Sequence, residues 1–246
     1  MTRNVLTGKT AIVTGSGRNI GRAIAVELAR LGSNVVVNGS SDRAGCEATA
    51  EAAAALGVES LVAMGDVSKS ATVAAIAEAA LGRFGAVDIV VNNAAIRPHK
   101  PFLDMSDEDW QKVIDLDLTS AFFTCRAFLP AMVERNWGRV VNITGMKAIR
   151  GYSEGAPISA AKHGLWGMTK ALSQEFAARG ITANAVSPGP IKVDGRDGAD
   201  PKQLAGIPAG FMGDPEDIAA LVCFLASPGG RFVNGQMISA NGGGTT

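Results

Sequence analysis

Three features of the sequence predict an α/β domain built on a doubly wound, mostly parallel sheet. Short β-branched runs alternate with longer alanine-rich stretches along all 246 residues. The runs are apolar on both faces, as strands must be when helices cover both sides of their sheet. No hairpin signal joins one run to the next, so consecutive strands need helical crossovers.

The elements follow in order. Thr10-Ala11-Ile12-Val13-Thr14 predicts a buried strand, followed by a glycine-bearing turn and a helix from Ile20 to Leu31, which Gly32 stops. Asn34-Val35-Val36-Val37-Asn38 predicts the second strand, with a helix from Arg43 to Leu56 behind it. Ser60 to Met64 reads as the third strand, Ser70 to Phe84 as a helix and Val87 to Val91 as the fourth strand. Arg139 to Ile143 and Thr182 to Val186 supply the fifth and sixth, and Gln236 to Ser239 a weaker seventh. The helical stretch Thr119 to Asn136 is apolar on more than one face, which suits either a deep core helix or a subunit interface. No linker or repeat divides the chain, so residues 1–246 are expected to form a single domain. Its Pro/Gly-rich segment from Ser187 to Pro215 reads as a substrate lid.

Composition narrows the function. Hydrophobic residues make up 47% and charged residues 19%, ample for a buried sheet. The formal net charge is zero, which leaves no basic field for nucleic acid and no polybasic membrane anchor. No apolar run reads as a membrane span or a signal-peptide core, so a cytoplasmic location is expected. Cys46, Cys125 and Cys223 are scattered without ligand spacing, so neither a metal site nor a disulfide is expected.

The strongest chemical signal is Gly15-Ser16-Gly17-Arg18-Asn19-Ile20-Gly21, placed between the first strand and the first helix. Glycines allow a tight turn that brings backbone N–H groups against a pyrophosphate, while the helix directs its positive end at the same anion. The segment resembles the Thr-Gly-x-x-x-Gly-x-Gly opening of the short-chain dehydrogenases/reductases, with Asn19 where the middle glycine usually stands. Asn tolerates left-handed backbone angles best after glycine, so the turn survives the change. Further resemblances run along the chain: Asp66-Val67 to the adenine-contacting pair, Asn92-Asn93-Ala94-Ala95 to the family's Asn-Asn-Ala-Gly, and Pro188-Gly189 to its turn after the sixth strand.

The resemblance implies a Rossmann-type fold, a nicotinamide dinucleotide cofactor, a small-molecule substrate and a homo-oligomer, either dimer or tetramer. It places Asn93, Ala94 and Ala95 at the cofactor and has the Ile191 backbone hold the nicotinamide amide. NADP is favoured over NAD because no carboxylate ends the second strand before Asp42. Arg18, Ser40, Ser41 and Arg43 offer groups for a 2′-phosphate instead.

The family's catalytic pattern breaks here. Its Tyr-x-x-x-Lys motif aligns with Ile158-Ser159-Ala160-Ala161-Lys162, and its catalytic serine with Gly145. Its upstream asparagine aligns with Asp117. Lys162 is thereby implied to hold the nicotinamide ribose, but isoleucine has no proton to give and glycine no hydroxyl. A missing general acid costs about 10²–10⁴ in rate, and a missing oxyanion donor about 10²–10³. Asp117 and Lys147 are the candidates to manage a proton beside Lys162. The lone tyrosine, Tyr152, reads as a pocket-rim or surface ring, and Thr144 as pointing the wrong way. Arg97, His99, Lys100, Lys147, Arg150 and Lys192 gather on predicted pocket loops, which favours a substrate carrying carboxylate or phosphate. Three functions remain open: an NADPH-dependent reductase of conjugated C=C or imine bonds, a non-redox lyase, hydrolase or isomerase, and a cofactor-binding subunit without catalysis.

Overall fold

The computed structural model of the chain describes residues 4–194 and 204–245, the side chains of residues 147 and 148 excepted. Seven strands form one sheet: β1 (Thr10–Val13), β2 (Asn34–Gly39), β3 (Ser60–Met64), β4 (Ile89–Asn92), β5 (Gly138–Ile143), β6 (Ile181–Pro188) and β7 (Met237–Ala240). Their order across the sheet is β3-β2-β1-β4-β5-β6-β7, and every pairing is parallel. The chain therefore reverses its winding between β1 and β4. In open α/β sheets the crevice at that switch point, beyond the strand C-termini, is where ligands bind.

Strand periodicity divides the core in two. Ala11, Val13, Val35, Val37, Ile89 and Val91 point to one face. They bury α1 (Asn19–Arg30), α2 (Arg43–Ala54) and α8 (Pro215–Ala226). Ile12, Val36, Val90, Val140 and Ala183 point to the other face, beneath α3 (Ser70–Phe84) and α5 (Ser120–Arg135). Phe128 on α5 is fully buried there, and its truncation to alanine costs about 3–5 kcal/mol.

Several expectations need correction. Val87 and Asp88 precede the fourth strand rather than open it: Asp88 turns its carboxylate back onto the Thr10 amide (3.0 Å) and Lys9. Ser187 and Pro188 are not part of a lid but the buried end of β6. Pro215 is the first residue of α8, behind a capping box on Asp214. The middle of the predicted lid, residues 195–203, lies outside the described residues. The helix beginning near Thr119 continues α4 (Asp107–Ile114) through a π-helical turn, Asp115–Thr119. Residues 107–135 are thus one helical run, long and apolar enough by length and composition to cross a membrane. Here α5 packs Cys125, Phe128, Leu129 and Met132 against the sheet, leaving Phe122 half exposed, so its apolar character is one-sided in the packed fold.

Candidate active site

A cleft of about 390 Å³ opens at the switch point. The glycine-bearing loop, the ends of β2 and β3, and residues 93–97 after β4 line it. Thr14 and Asn93 build its floor. The Thr14 hydroxyl accepts the amides of Asn93 and Ala94 (both 3.0 Å), and Asn93 Nδ2 donates to the Thr14 and Gly15 carbonyls (both 2.9 Å). A side chain at Gly21 would collide with the Gly15 carbonyl and lie 2.6 Å from Asn93 Nδ2, so only glycine lets the helix approach this closely. Asn19 adopts φ +48°, the left-handed conformation anticipated from its type. Its Oδ1 accepts the Asp194 amide (2.9 Å), tying the segment after β6 to the loop.

The cleft suits a dinucleotide diphosphate. Among the described residues no side chain caps α1, and its first turn holds no acid, so the N–H groups of that turn suit an anion. Gly17, Arg18, Asn19 and Ile20 all line the wall. Ser16 does not: its buried hydroxyl donates to the Val13 carbonyl (2.7 Å) and accepts the Asn38 amide (3.0 Å), so it serves the turn rather than a ligand. Asn38, not anticipated from the sequence, also lines the cleft. Buried at the end of β2, it accepts the Gly15 amide (3.4 Å) and donates to the Ala63 and Gly65 carbonyls (2.9 and 3.2 Å), joining three strand ends. A polar residue inside an otherwise apolar strand was the available signal.

Ser40, Ser41 and Asp42 line the far end of the cleft with Asp66 and Val67. The Asp42 carboxylate is engaged as the N-cap of α2, accepting the Gly45 amide (2.9 Å), and Arg43 pairs with Glu47. Arg18 and the two serines remain exposed. Pro188, Gly189 and Ile191 stand outside the cleft wall. Gly189 packs so close to Asn241 that a Cβ would lie 2.6 Å from its Cα, and Ile191 bridges to Gly213.

At the other end, Lys162 and Asp117 form a buried ion pair, with Nζ 3.2 Å from Oδ2. Lys162, on α7 (Ala156–Phe176), also donates to the Ile143 carbonyl (3.1 Å). Asp117 sits in the π-helical turn and accepts the Ile96 amide on Oδ1 (2.9 Å), while Oδ2 accepts no well-formed hydrogen bond among the described residues. Neither side chain reaches the cleft wall, which here consists of their neighbours Ile96, Leu116 and Ile143. Burial lowers the Lys162 pKa, and the Asp117 charge opposes that shift. A charge this deep persists only beside its counter-charge.

Ile158 is buried with Val113 and Ala161, and Tyr152 packs on that cluster with Ile96 and Leu118. Tyr152 is thus a partly buried site residue rather than a surface ring. Burial raises its pKa, Arg97 lowers it and Asp117 raises it, which places both charges within electrostatic reach of the phenol. Gly145 is open: an added Cβ would meet nothing within 4 Å among the described residues. The Thr144 hydroxyl donates to the Val186 carbonyl (3.0 Å) and faces the sheet, as expected. The backbone of Lys147 lies on the short helix α6 (Met146–Arg150) rather than in a loop, and its side chain is outside the described residues.

Two of the basic residues expected around the pocket meet acids in the fold. Lys100 pairs with Asp109 on the neighbouring helix α4, and Lys192 with Asp214 (2.9 Å), the residue that precedes α8. His163 is exposed and bonds the Ser159 carbonyl. Arg97 lines the cleft and has no acidic partner among the described residues.

Comparison with known proteins agrees with this geometry. A family profile described as enoyl-(acyl carrier protein) reductase matches residues 15–245. A 3-oxoacyl-[acyl-carrier-protein] reductase from Pseudomonas aeruginosa is 40% identical over 242 residues, covering 97% of this chain and 98% of the relative. The 3beta-hydroxysteroid dehydrogenase 1 of Eggerthella lenta is 38% identical over 245 residues, covering 97% and 94%. The crystal structure of a proposed gluconate dehydrogenase from Agrobacterium tumefaciens superposes with a TM-score of 0.91 at 34% identity, covering 98% of each chain.

Proposed function

Because the chain belongs to the short-chain dehydrogenase/reductase family, we propose that it is an NADP-dependent oxidoreductase acting on a conjugated C=C bond or an imine rather than a simple ketone. The observation that carries this reading is the composition of the site: a buried Lys162–Asp117 pair, a buried Ile158 one helical turn before Lys162, and an open Gly145 after β5. Reduction of a ketone leaves a charged oxygen that needs a proton and a hydroxyl donor, and these two positions supply neither. A protonated imine arrives with its proton, and a conjugated alkene that takes hydride at its β-carbon is completed by a proton delivered from water to its α-carbon, so neither reaction needs a phenol at the substrate oxygen.

The residues divide the work. The first turn of α1 binds the diphosphate, with Gly17 to Ile20 at the wall. Arg18, Ser40 and Ser41 hold a 2′-phosphate, Asp42 being committed to its helix cap. Asp66 and Val67 flank the adenine, and Ala94 and Ala95 bring the backbone after β4 against the cofactor. Pro188, Gly189 and Ile191 set the backbone near the nicotinamide amide. A bound nicotinamide supplies the hydride. Lys162 fixes the Ile143 carbonyl and Asp117 fixes the Ile96 amide, so the pair positions the reacting end of the cleft. Ile96, Leu116 and Ile143 make that end apolar and limit water. The match to a profile described as an enoyl reductase supports C=C chemistry. The exposed side chains of Leu103 and Phe232 support assembly as a homo-oligomer, which light scattering on the eluting protein checks.

The deciding experiment follows nicotinamide absorbance while the protein is offered enones, imines and ketones with NADPH. Loss of absorbance with enones or imines and not with ketones is expected. Comparable rates with ketones overturn the reading, and turnover without an absorbance change assigns a non-redox reaction.

A further inference from the structure

We infer that Thr124, Asn92, Asn142 and Thr169 are positioning residues. Together they form a buried hydrogen-bonded tie between α5 and α7 that holds Asp117 against Lys162 and fixes the cleft wall at Ile96 and Ile143. The inference rests on the reading above only in taking that ion pair as the support of the wall. Its own basis is a closed frame of hydrogen bonds that joins two helices to two strand ends.

The tie lies one layer below the pair. Val90 and Val140 point into the apolar core. Two residues further along each strand, on the same face, the core turns polar at Asn92 and Asn142, which stand opposite each other in register. Both are buried, as are Thr124 on α5 and Thr169 on α7. The hydrogen bonds run one way. The Thr124 hydroxyl donates to Asn92 Oδ1, nearer than its second acceptor, the Ala121 carbonyl (3.1 Å). Asn92 Nδ2 donates to Asn142 Oδ1 (2.8 Å) and Asn142 Nδ2 to Thr169 Oγ1 (2.8 Å). The Thr169 hydroxyl ends the chain on the Leu165 carbonyl (2.8 Å). Such a buried polar chain stabilises little and is costly when incomplete. What a complete one supplies is a single arrangement of the elements it joins.

Each helix is fixed to one strand end at two points. Asp117 precedes Thr124 by seven residues and Lys162 precedes Thr169 by seven, about two helical turns or 10 Å. On the α5 side, Thr124 holds Asn92 while Asp117 holds the Ile96 amide, a little further along the same segment. On the α7 side, Thr169 holds Asn142 while Lys162 holds the carbonyl of Ile143, the next residue. Asn92–Asn142 closes the frame below and Asp117–Lys162 closes it above. One attachment would let a helix turn about it; two set its rotation as well as its distance.

The test reads Lys162 itself, with no substrate or nucleotide present. The full chain is isotope-labelled at lysine Cε and titrated with pH by NMR, the Lys162 signal being the one lost in Lys162→Arg. The charges that the Lys162 ammonium feels are those of Asp117 and Arg97, and the variants below alter neither. Thr169→Val removes the Asn142 partner at nearly constant shape. It should lower the Lys162 midpoint by about one pH unit, the lower end of what an adjoining opposite charge contributes, because the ammonium stays buried while its counter-charge recedes. Thr124→Val cuts the other end; it should act in the same direction and serves if Thr169→Val does not fold. Thr169→Ser should restore the wild-type midpoint. Val140→Ala, a truncation in the same core, controls for lost stability alone. The tie is overturned if a folded valine variant titrates as wild type or with a raised midpoint, if Thr169→Ser does not restore it, or if Val140→Ala lowers it as far. Because Lys162 is read without turnover, the proposed redox reaction and this tie fail separately.

Discussion

Lys162 Nζ lies 3.2 Å from Asp117 Oδ2, and the two side chains are 4% and 0% exposed. A lysine and an aspartate on different helices thus share one buried pocket behind the cleft wall formed by Ile96, Leu116 and Ile143. Removing one partner of such a pair leaves the other as an uncompensated buried charge, which costs more than the pair itself contributes.

Asp117→Leu should therefore destabilise the protein by about 3–5 kcal/mol, lowering Tm by roughly 6–20 °C for a domain of this size. Asp117→Asn keeps an acceptor for the Ile96 amide and should cost less. Thermal unfolding of both variants distinguishes the ion pair from the hydrogen bond.

The same pair gives a pH dependence with a definite sign. Lys162 has its pKa lowered from 10.5 in the fold, chiefly by burial. The unfolded chain then holds more protons than the folded one between the lowered value and 10.5, so stability from this residue rises with pH across that window and is lost as pH falls through the folded value. Denaturant titrations at increasing pH should show this rise in wild type and not in Lys162→Met.

Gly145 has room for a side chain, whereas Ile158 is packed against Val113, Ala161 and Tyr152. Gly145→Ser should change stability by no more than about 0.5 kcal/mol. Combined with Ile158→Tyr, it should raise ketone reduction by at least about 10²-fold, the lower bound for one general acid. NADPH consumption with a ketone panel measures this.

Gly21→Ala should be poorly tolerated, since its methyl would press on the Gly15 carbonyl and Asn93 Nδ2. Overpacking of this kind costs about 1–3 kcal/mol, and moving the loop should also reduce NADP⁺ affinity. Melting temperature with and without the nucleotide separates the two effects.

With Asp42 tied to the Gly45 amide, NADP(H) should raise Tm more than NAD(H). At about a hundred times its Kd a ligand adds about 2.7 kcal/mol, or roughly 5–10 °C here. Arg18→Ala should narrow the difference, and a larger shift with NAD(H) would reverse the cofactor assignment.

The amino-acid sequence by itself determined the alternation of strands and helices, the parallel sheet and the glycine-bearing turn after the first strand. These depend on local periodicity and on backbone angles that residue type controls, as Asn19 at φ +48° illustrates. Only the tertiary structure decided which charges remain available. Lys100 met Asp109 on α4 and Lys192 met Asp214 before α8, Asp117 and Lys162 cancelled one another across two helices, and Tyr152 was drawn in against Ile158. The physical reason is that side-chain direction and counter-charge are set by packing between distant segments, whereas the turn and the strand are set by neighbours along the chain.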